Sequence, residues 1–450
     1  MIEPSGVHDT LRKFQLVDGY PIVLDLERSE GVWLYDSVGG QRYLDAFSFF
    51  ASWPMGYNHP MLLDPGFTAT LLRAAVTKAS NADIYTVEMA EFVEAFGTKV
   101  TPEGFPHHFW ISGGAPAVEN ALKTAFDWKA RKLGRTRLEA DVNDLVIAHF
   151  RQAFHGRTGY TLSLTNTRPD KIGLFPKFPW PRIHNPAIEF DLEGGVANDV
   201  EAEEERALAE LAAAFAAHPG RVAAIIIEPM QGEGGDNHFR SEFLAALRRL
   251  ADEHETMLIY DEVQTGFFGS GKPWMWQHLG VAPDIVAFGK KTQVCGIYAS
   301  NRVDEVPDNV FRLSSRINST WGGNLVDMVR CRRFIEIIEK EGLEANVAAM
   351  GDRLIAGLRG IAVHSGAFSN VRGRGSLVAV TFDTAERRGQ VLSDMFDRQL
   401  LALPCGPRSI RFRLPFVIGP NEVDEILARV EASVQAHGQR IRPSRQEMGG

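Results

Sequence analysis

Between residues 145 and 289, short apolar runs alternate with longer amphipathic stretches. The runs LVIAH (145–149), AAIIIE (223–228), MLIYD (257–261) and DIVAFG (284–289) carry few polar positions. Each is too short for a stable helix and fits a strand buried on both faces. Residues 117–131, ahead of the first run, and 201–217 and 241–254, between the runs, repeat apolar positions at helical spacing. The acidic run EAEEE at 201–205 reads as the first turn of such a helix, where negative charge suits the dipole. Strands alternating with helices predict a mainly parallel sheet covered on both faces. The ends of the chain differ. Residues 20–45 read as short strands joined by a GG turn. After a helical stretch over 324–344, strands are expected near 376–382 and helices near 387–398 and 421–437. The pattern predicts an α/β protein, with a large domain at 65–335 and a smaller α+β domain built from both termini, 1–64 and 336–450.

Composition narrows this picture without redirecting it. The 450 residues, 44% hydrophobic and 23% charged, supply ample core and exclude disorder, collagen or coiled coil as the main state. An excess of 57 acidic over 48 basic residues argues against nucleic acid or an anionic membrane as partner. No run of apolar residues is long enough to span a bilayer, and MIEPSGVHDTLRKF lacks the apolar core of a signal peptide. Cys295, Cys331 and Cys405 match neither a zinc site nor a disulfide framework. A cytoplasmic protein without a metal is expected.

In an open parallel sheet, ligands bind beyond the carboxyl ends of the strands. After Phe109 and Trp110 come Ser112, Gly113, Gly114 and Ala115, then a helix, so backbone amides there could cradle an anion. A glycine pair before a helix is more often a simple turn, and neither a Walker A loop nor a dinucleotide fingerprint is present. Asp261 and Glu262 follow the strand MLIY, where a carboxylate is expensive unless it meets a cation or hydrogen-bond donors. Lys290 and Lys291 follow DIVAFG. Two adjacent lysines are usually a solvated pair, but desolvation at a strand end would lower an amine's pKa toward reactivity. Together, an anion cradle, an acid and a lysine at strand ends of one sheet are the groups a pyridoxal phosphate site needs.

The stretch DEVQTGFFGSGKPWMWQHLGVAPDIVAFGKK resembles the signature of class III (omega) aminotransferases, of the pyridoxal-phosphate-dependent transferase fold type I. Similar blocks recur along the chain: APAVENALKTA, AFHGRTGYTLS, EPMQGEGG and STWGGN. Within that class, FGKKTQVCG, RFRLPF and QLVDGYPIVLDLERS are most similar to L-lysine 6-aminotransferases. The resemblance implies pyridoxal 5′-phosphate as cofactor, with L-lysine and 2-oxoglutarate as substrates. Lys290 would bond to the cofactor, Lys291 being second choice, and Asp261 would pair with the ring nitrogen. Gly114 and Ala115 would hold the phosphate through N–H groups, the hydroxyls of many relatives' Ser-Gly-Thr being absent at Gly113 and Ala115. Phe154 would stack on the ring, and Gln264 would contact the ring oxygen and substrate. Thr320 would reach the phosphate of a neighbouring subunit, implying a homodimer. Arg411 would take the substrate carboxylate beside the reacting carbon, Glu233 would pair with Arg411, and Arg157 would take the distal carboxylate.

Plainer roles compete with each of these. Phe154 could be core, Thr320 a helix N-cap, and Arg411 or Arg413 the partner of a surface acid. His155 is expected to be packed or hydrogen-bonded, without a catalytic role. Ornithine, 4-aminobutyrate or diamine aminotransferases would share the cofactor residues, as would a racemase of the same fold.

Overall fold

The apolar runs form the centre of a seven-stranded sheet in the computed structural model, which describes residues 2–438. From edge to edge the strands are His107–Ile111, Cys295–Ala299, Ile285–Phe288, Met257–Asp261, Val222–Ile227, Val146–Phe150 and Arg182–Ile183. Neighbours from Ile285–Phe288 onward pair in parallel, whereas Cys295–Ala299 runs antiparallel to the strands on both its sides. Successive residues of a strand point to opposite faces. Thus Val146, Ala148, Ile225, Leu258 and Val286 pack on one side with Leu244 and Leu247. Ile147, Ala224, Ile226, Ile259 and Ile285 pack on the other with Val118, Ala121 and Leu122. Two buried faces explain why these strands read as unbroken apolar runs. Parallel neighbours require long crossovers. The helix Ser241–Glu253 supplies the one from Val222–Ile227 to Met257–Asp261, while Gly114–Lys132 and Val200–Ala217 lie in connections that pass over intervening strands; Asp199 caps Val200–Ala217 by accepting from the Ala202 N–H. The antiparallel return from Phe288 to Cys295 needs only a short loop, and that loop holds both lysines.

Two smaller sheets join the ends of the chain. The hairpin of Trp33–Tyr35 and Arg42–Asp45 pairs through Leu44 with Leu400 in parallel. A four-stranded antiparallel sheet runs Phe368–Arg374, Leu377–Phe382, Ser409–Arg413 and Leu403–Cys405. Leu44 and Ala46 share its core with Val380, Phe412 and Ile426. The stretch expected as one helix over 324–344 is the whole of one helix and the first residues of the next. Leu325–Glu341 and Leu343–Ser365 meet at Gly342, whose φ of 63° is the left-handed cap that ends the first. The expected boundary near 335 therefore falls inside a helix whose Ile337 and Ile338 belong to the core of the seven-stranded sheet. The next helix passes from that core, through Leu343 and Val347, to the core of the four-stranded sheet, through Leu354 and Leu358. Among the described residues no helix is long and apolar enough to cross a membrane.

Candidate active site

The carboxyl ends of the parallel strands open on a cavity of about 500 Å³. Nine of the ten site residues expected from the sequence line it, from Gly114 on one wall to Arg411 on another; Thr320 does not.

Asp261 ends its strand and is 4% exposed. One carboxylate oxygen accepts the Val263 N–H (3.0 Å), and the other lies 2.8 Å from His155 Nδ1. The His155 backbone is held in turn by Thr165 Oγ1 (2.9 Å). Glu262, one residue on, points the other way. It accepts from the Thr265 hydroxyl and from the N–H groups of Met275 and Trp276, while burial pushes its pKa up to about 7. Pleating thus separates two adjacent acids, and the cavity receives only Asp261.

The adjacent lysines are separated as sharply. Lys290 follows Gly289 with φ at 54°, a strained conformation for a residue with a side chain, and it lines the cavity. Burial lowers its pKa, the Arg411 guanidinium lowers it further, and Asp261 opposes both. Lys291 is buried elsewhere, donating to the carbonyls of Gln264 (2.6 Å) and Gly266 (3.2 Å). Burial, then the charges of Arg413 and Lys290, bring it down to about 7.

The anion cradle is the start of the helix Gly114–Lys132. The N–H groups of Gly114 and Ala115 have no carbonyl four residues back within the helix, and Pro116 has no N–H to offer. A Cβ on Gly114 would stand 2.7 Å from Val263 Cγ1, so only glycine fits between the cavity and that side chain. Gly156, with φ at 119°, presses on Ala115 so closely that a Cβ would lie 2.4 Å from the Ala115 Cβ. That contact favours the small side chain at position 115.

The opposite wall carries the charged groups. Arg411, on the strand Ser409–Arg413, is 2% exposed and donates through Nη2 to Glu233 Oε2 (2.9 Å) and through Nη1 to Gln264 Oε1 (3.2 Å). The Gln264 amide also donates to the Phe50 carbonyl (3.0 Å), so both its ends are engaged. Arg413, two residues along, is committed elsewhere to a buried bidentate pair with Asp236. Arg157 stands at the exposed rim.

Besides Gly156 and Val263, three lining residues were not among those singled out from the sequence. Lys171, in the short helix Pro169–Ile172, pairs with the Oε1 atom of Glu233, and its amine sits 5.4 Å from the centroid of the Phe154 ring. Nothing local distinguishes a lysine in a connecting segment. Phe50 contributes a carbonyl from Ser48–Ala51, a run of four non-glycine residues with positive φ. Glu228 accepts the N–H groups of Phe154 (3.0 Å) and Gly232 (3.1 Å), tying two lining segments together. Its place directly after a strand could have marked it. Burial raises its pKa to about 7, with Asp261 adding and His155 opposing. Thr320 is exposed, and its carbonyl accepts from Ser80 Oγ (2.6 Å). The following helix starts at Leu325 with Asn324 as its N-cap, so Thr320 is not the cap.

These groups fit pyridoxal phosphate: free helix-start amides for a dianion, a buried carboxylate for a ring cation, and a lowered-pKa amine in the same cavity. The model of the aminotransferase class-III family matches residues 15–434. The L-lysine-epsilon aminotransferase of Streptomyces clavuligerus is 49% identical over 438 residues, covering 97% of this chain and 95% of that one. The 4-aminobutyrate aminotransferase of Dictyostelium discoideum is 31% identical, over 96% of this chain and 89% of its own. A solved lysine aminotransferase from Mycobacterium tuberculosis, in the internal aldimine form, matches with a TM-score of 0.92 at 48% identity. The match covers 96% of this chain and 99% of that one.

Proposed function

The chain belongs to the class-III aminotransferases, and from that premise we propose that it transfers the ε-amino group of L-lysine to 2-oxoglutarate. The products would be 2-aminoadipate 6-semialdehyde, which can cyclise, and glutamate. The observation that carries this reading is the buried Arg411, paired with Glu233 in the cavity that Lys290 also lines. Identity to lysine enzymes of 49%, against 31% to a 4-aminobutyrate enzyme, supports the choice of donor.

Pyridoxal phosphate is the cofactor of the family, and when bound it supplies an electrophilic carbonyl for amines and a sink for electrons. Gly114 and Ala115 would hold its phosphate, Asp261 its ring nitrogen, Phe154 its ring face, Gln264 its ring oxygen, and Lys290 would attach to it. The chain's own groups then divide the work. Lys290, its pKa lowered by burial, keeps a fraction of its amine neutral and able to carry a proton at Nζ. Asp261 would hold a proton on the ring nitrogen, and His155, whose Nδ1 lies 2.8 Å from Asp261 Oδ2, fixes the orientation of that carboxylate. Arg157 at the rim would orient the far carboxylate of either substrate.

The two substrates make opposite demands. Lysine presents an unsubstituted carbon at the reacting position, where a bare guanidinium would be an uncompensated buried charge. The keto acid presents a carboxylate there, which Arg411 matches bidentately. Glu233 resolves the conflict, closed on Arg411 for lysine and withdrawn for 2-oxoglutarate.

A homodimer in which Thr320 reaches the neighbouring subunit's phosphate is part of this proposal. Its support is that Thr320 is exposed and tied to Ser80. Ile84, Tyr85 and Val87, just beyond, and the adjacent Trp321 are large apolar residues left exposed. The cytoplasm remains the proposed location, supported by three buried free thiols, Cys295, Cys331 and Cys405. A panel of amine donors with 2-oxoglutarate as acceptor tests the reading through glutamate formation. Lysine should be the preferred donor. Preference for ornithine or 4-aminobutyrate would overturn the substrate assignment, and interconversion of enantiomers without keto acid would indicate a racemase.

A further inference from the structure

The Glu233 carboxylate is held by two cations at once. Arg411 Nη2 binds Oε2 at 2.9 Å, and the Lys171 amine binds Oε1. Arg411 is a fixed partner: its side chain is 3% exposed, and Nη1 is anchored on Gln264 Oε1. Lys171 is more open, at 21% side-chain exposure, and reaches the cavity from the helix Pro169–Ile172, a segment independent of the strand that carries Arg411. Glu233 itself is 23% exposed, and its backbone is pinned where its carbonyl accepts the Gly406 N–H (2.9 Å). Its side chain can therefore swing while its main chain stays in place.

We propose that Lys171 is the positioning residue that receives Glu233 when a substrate carboxylate claims Arg411. This rests on the aminotransferase reading above, in which Glu233 must withdraw for the keto acid. A partly buried carboxylate that leaves a lone cation becomes an unpaired charge, a cost that holds the gate shut. With Lys171 already on Oε1, opening exchanges one of two partners and keeps the other. The ammonium, a point charge on a flexible stem, can follow the carboxylate in a way a rigid guanidinium fork cannot. Lys171 also competes with Arg411 for the same anion, which weakens the closed pair. Both effects favour the open state, and both vanish together when the amine is removed.

The test is Lys171→Met and Lys171→Arg in the holoenzyme, alone and combined with Glu233→Gln. Single-turnover absorbance changes report the lysine and glutamate half-reactions. The dissociation constant of glutarate, a dicarboxylate that cannot react, gives a readout without turnover. Lys171→Met should weaken glutarate about tenfold, equivalent to about 1.4 kcal/mol. It should raise the apparent KM for glutamate and 2-oxoglutarate by a similar factor, without slowing the lysine half-reaction. Lys171→Arg should restore most of the loss. In the Glu233→Gln background, Lys171→Met should change nothing further. An equal effect on both half-reactions, or the same glutarate loss without Glu233, would overturn the proposal and leave Lys171 as packing or as a direct carboxylate ligand. Failure of the wild-type enzyme to transfer nitrogen from lysine to 2-oxoglutarate would instead sink the underlying functional reading.

Discussion

Replacing the two adjacent lysines one at a time should produce opposite phenotypes. The Lys290 amine lines the cavity, its charge disfavoured by burial and by Arg411. Lys290→Ala removes a buried cation whose charge is disfavoured, while the Cβ that strains the backbone stays, so the thermal midpoint should hold or rise. The variant loses proton transfer, a factor of about 10²–10⁴, together with the covalent anchor for the cofactor. Turnover should fall by at least about 10²-fold, and the visible absorbance of the attached cofactor should change. Lys291 does the reverse. Its amine satisfies the buried carbonyls of Gln264 and Gly266, at 2.6 and 3.2 Å. An unsatisfied buried acceptor costs about 1–3 kcal/mol, while removal of an amine whose pKa is depressed to about 7 returns part of that. A net loss of about 2 kcal/mol is expected for Lys291→Ala, seen as a midpoint lowered by about 2 °C in a chain of this length. Its cofactor spectrum should remain. Visible spectra and thermal unfolding of both holoenzymes decide the matter. Loss of the attached-cofactor spectrum in Lys291→Ala, with retention in Lys290→Ala, would refute the assignment.

Three further outcomes follow from the geometry. Arg157→Ala should raise the KM for lysine far more than that for cadaverine, which lacks the carboxylate; equal effects would remove Arg157 from the substrate site. Glu233→Gln leaves Arg411 and Lys171 without their shared anion, so the lysine half-reaction should slow about tenfold, roughly 1.4 kcal/mol. The glutamate half-reaction should hold or quicken, and a uniform loss would exclude a gating role. Glu228 binds its proton more tightly folded than unfolded, its pKa raised by burial from 4.5 to about 7. The folded state therefore holds more protons between those values, and stability should fall as pH rises from about 4.5 to about 7. Glu228→Gln should flatten that slope in a pH series of thermal midpoints, and an unchanged slope would count against the shift.

The sequence by itself determined the layers of this protein. Unbroken apolar runs such as MLIYD require two covered faces, and a strand–helix order requires parallel pairing, so sheet, helices and the ridge of strand ends could all be read locally. Cys295–Ala299 escaped because CGIYA follows a short loop where the alternation expects a helix, and its reversed direction comes from inserting between the strand just before it and the distant His107–Ile111. FSNVRGR, at Phe368–Arg374, escaped because a strand rich in polar residues shows no apolar pattern. The candidate chemistry was visible wherever a functional group follows a strand directly, as at Asp261 and Lys290. Only tertiary structure decided which member of each adjacent pair faces the cavity. Pleating turns Glu262 away from Asp261, and buried carbonyls draw in Lys291 while Lys290 is left to the cavity. Lys171 was invisible for the same reason: its partner Glu233 lies 62 residues away, and a lysine's role depends on which charge the fold brings to it.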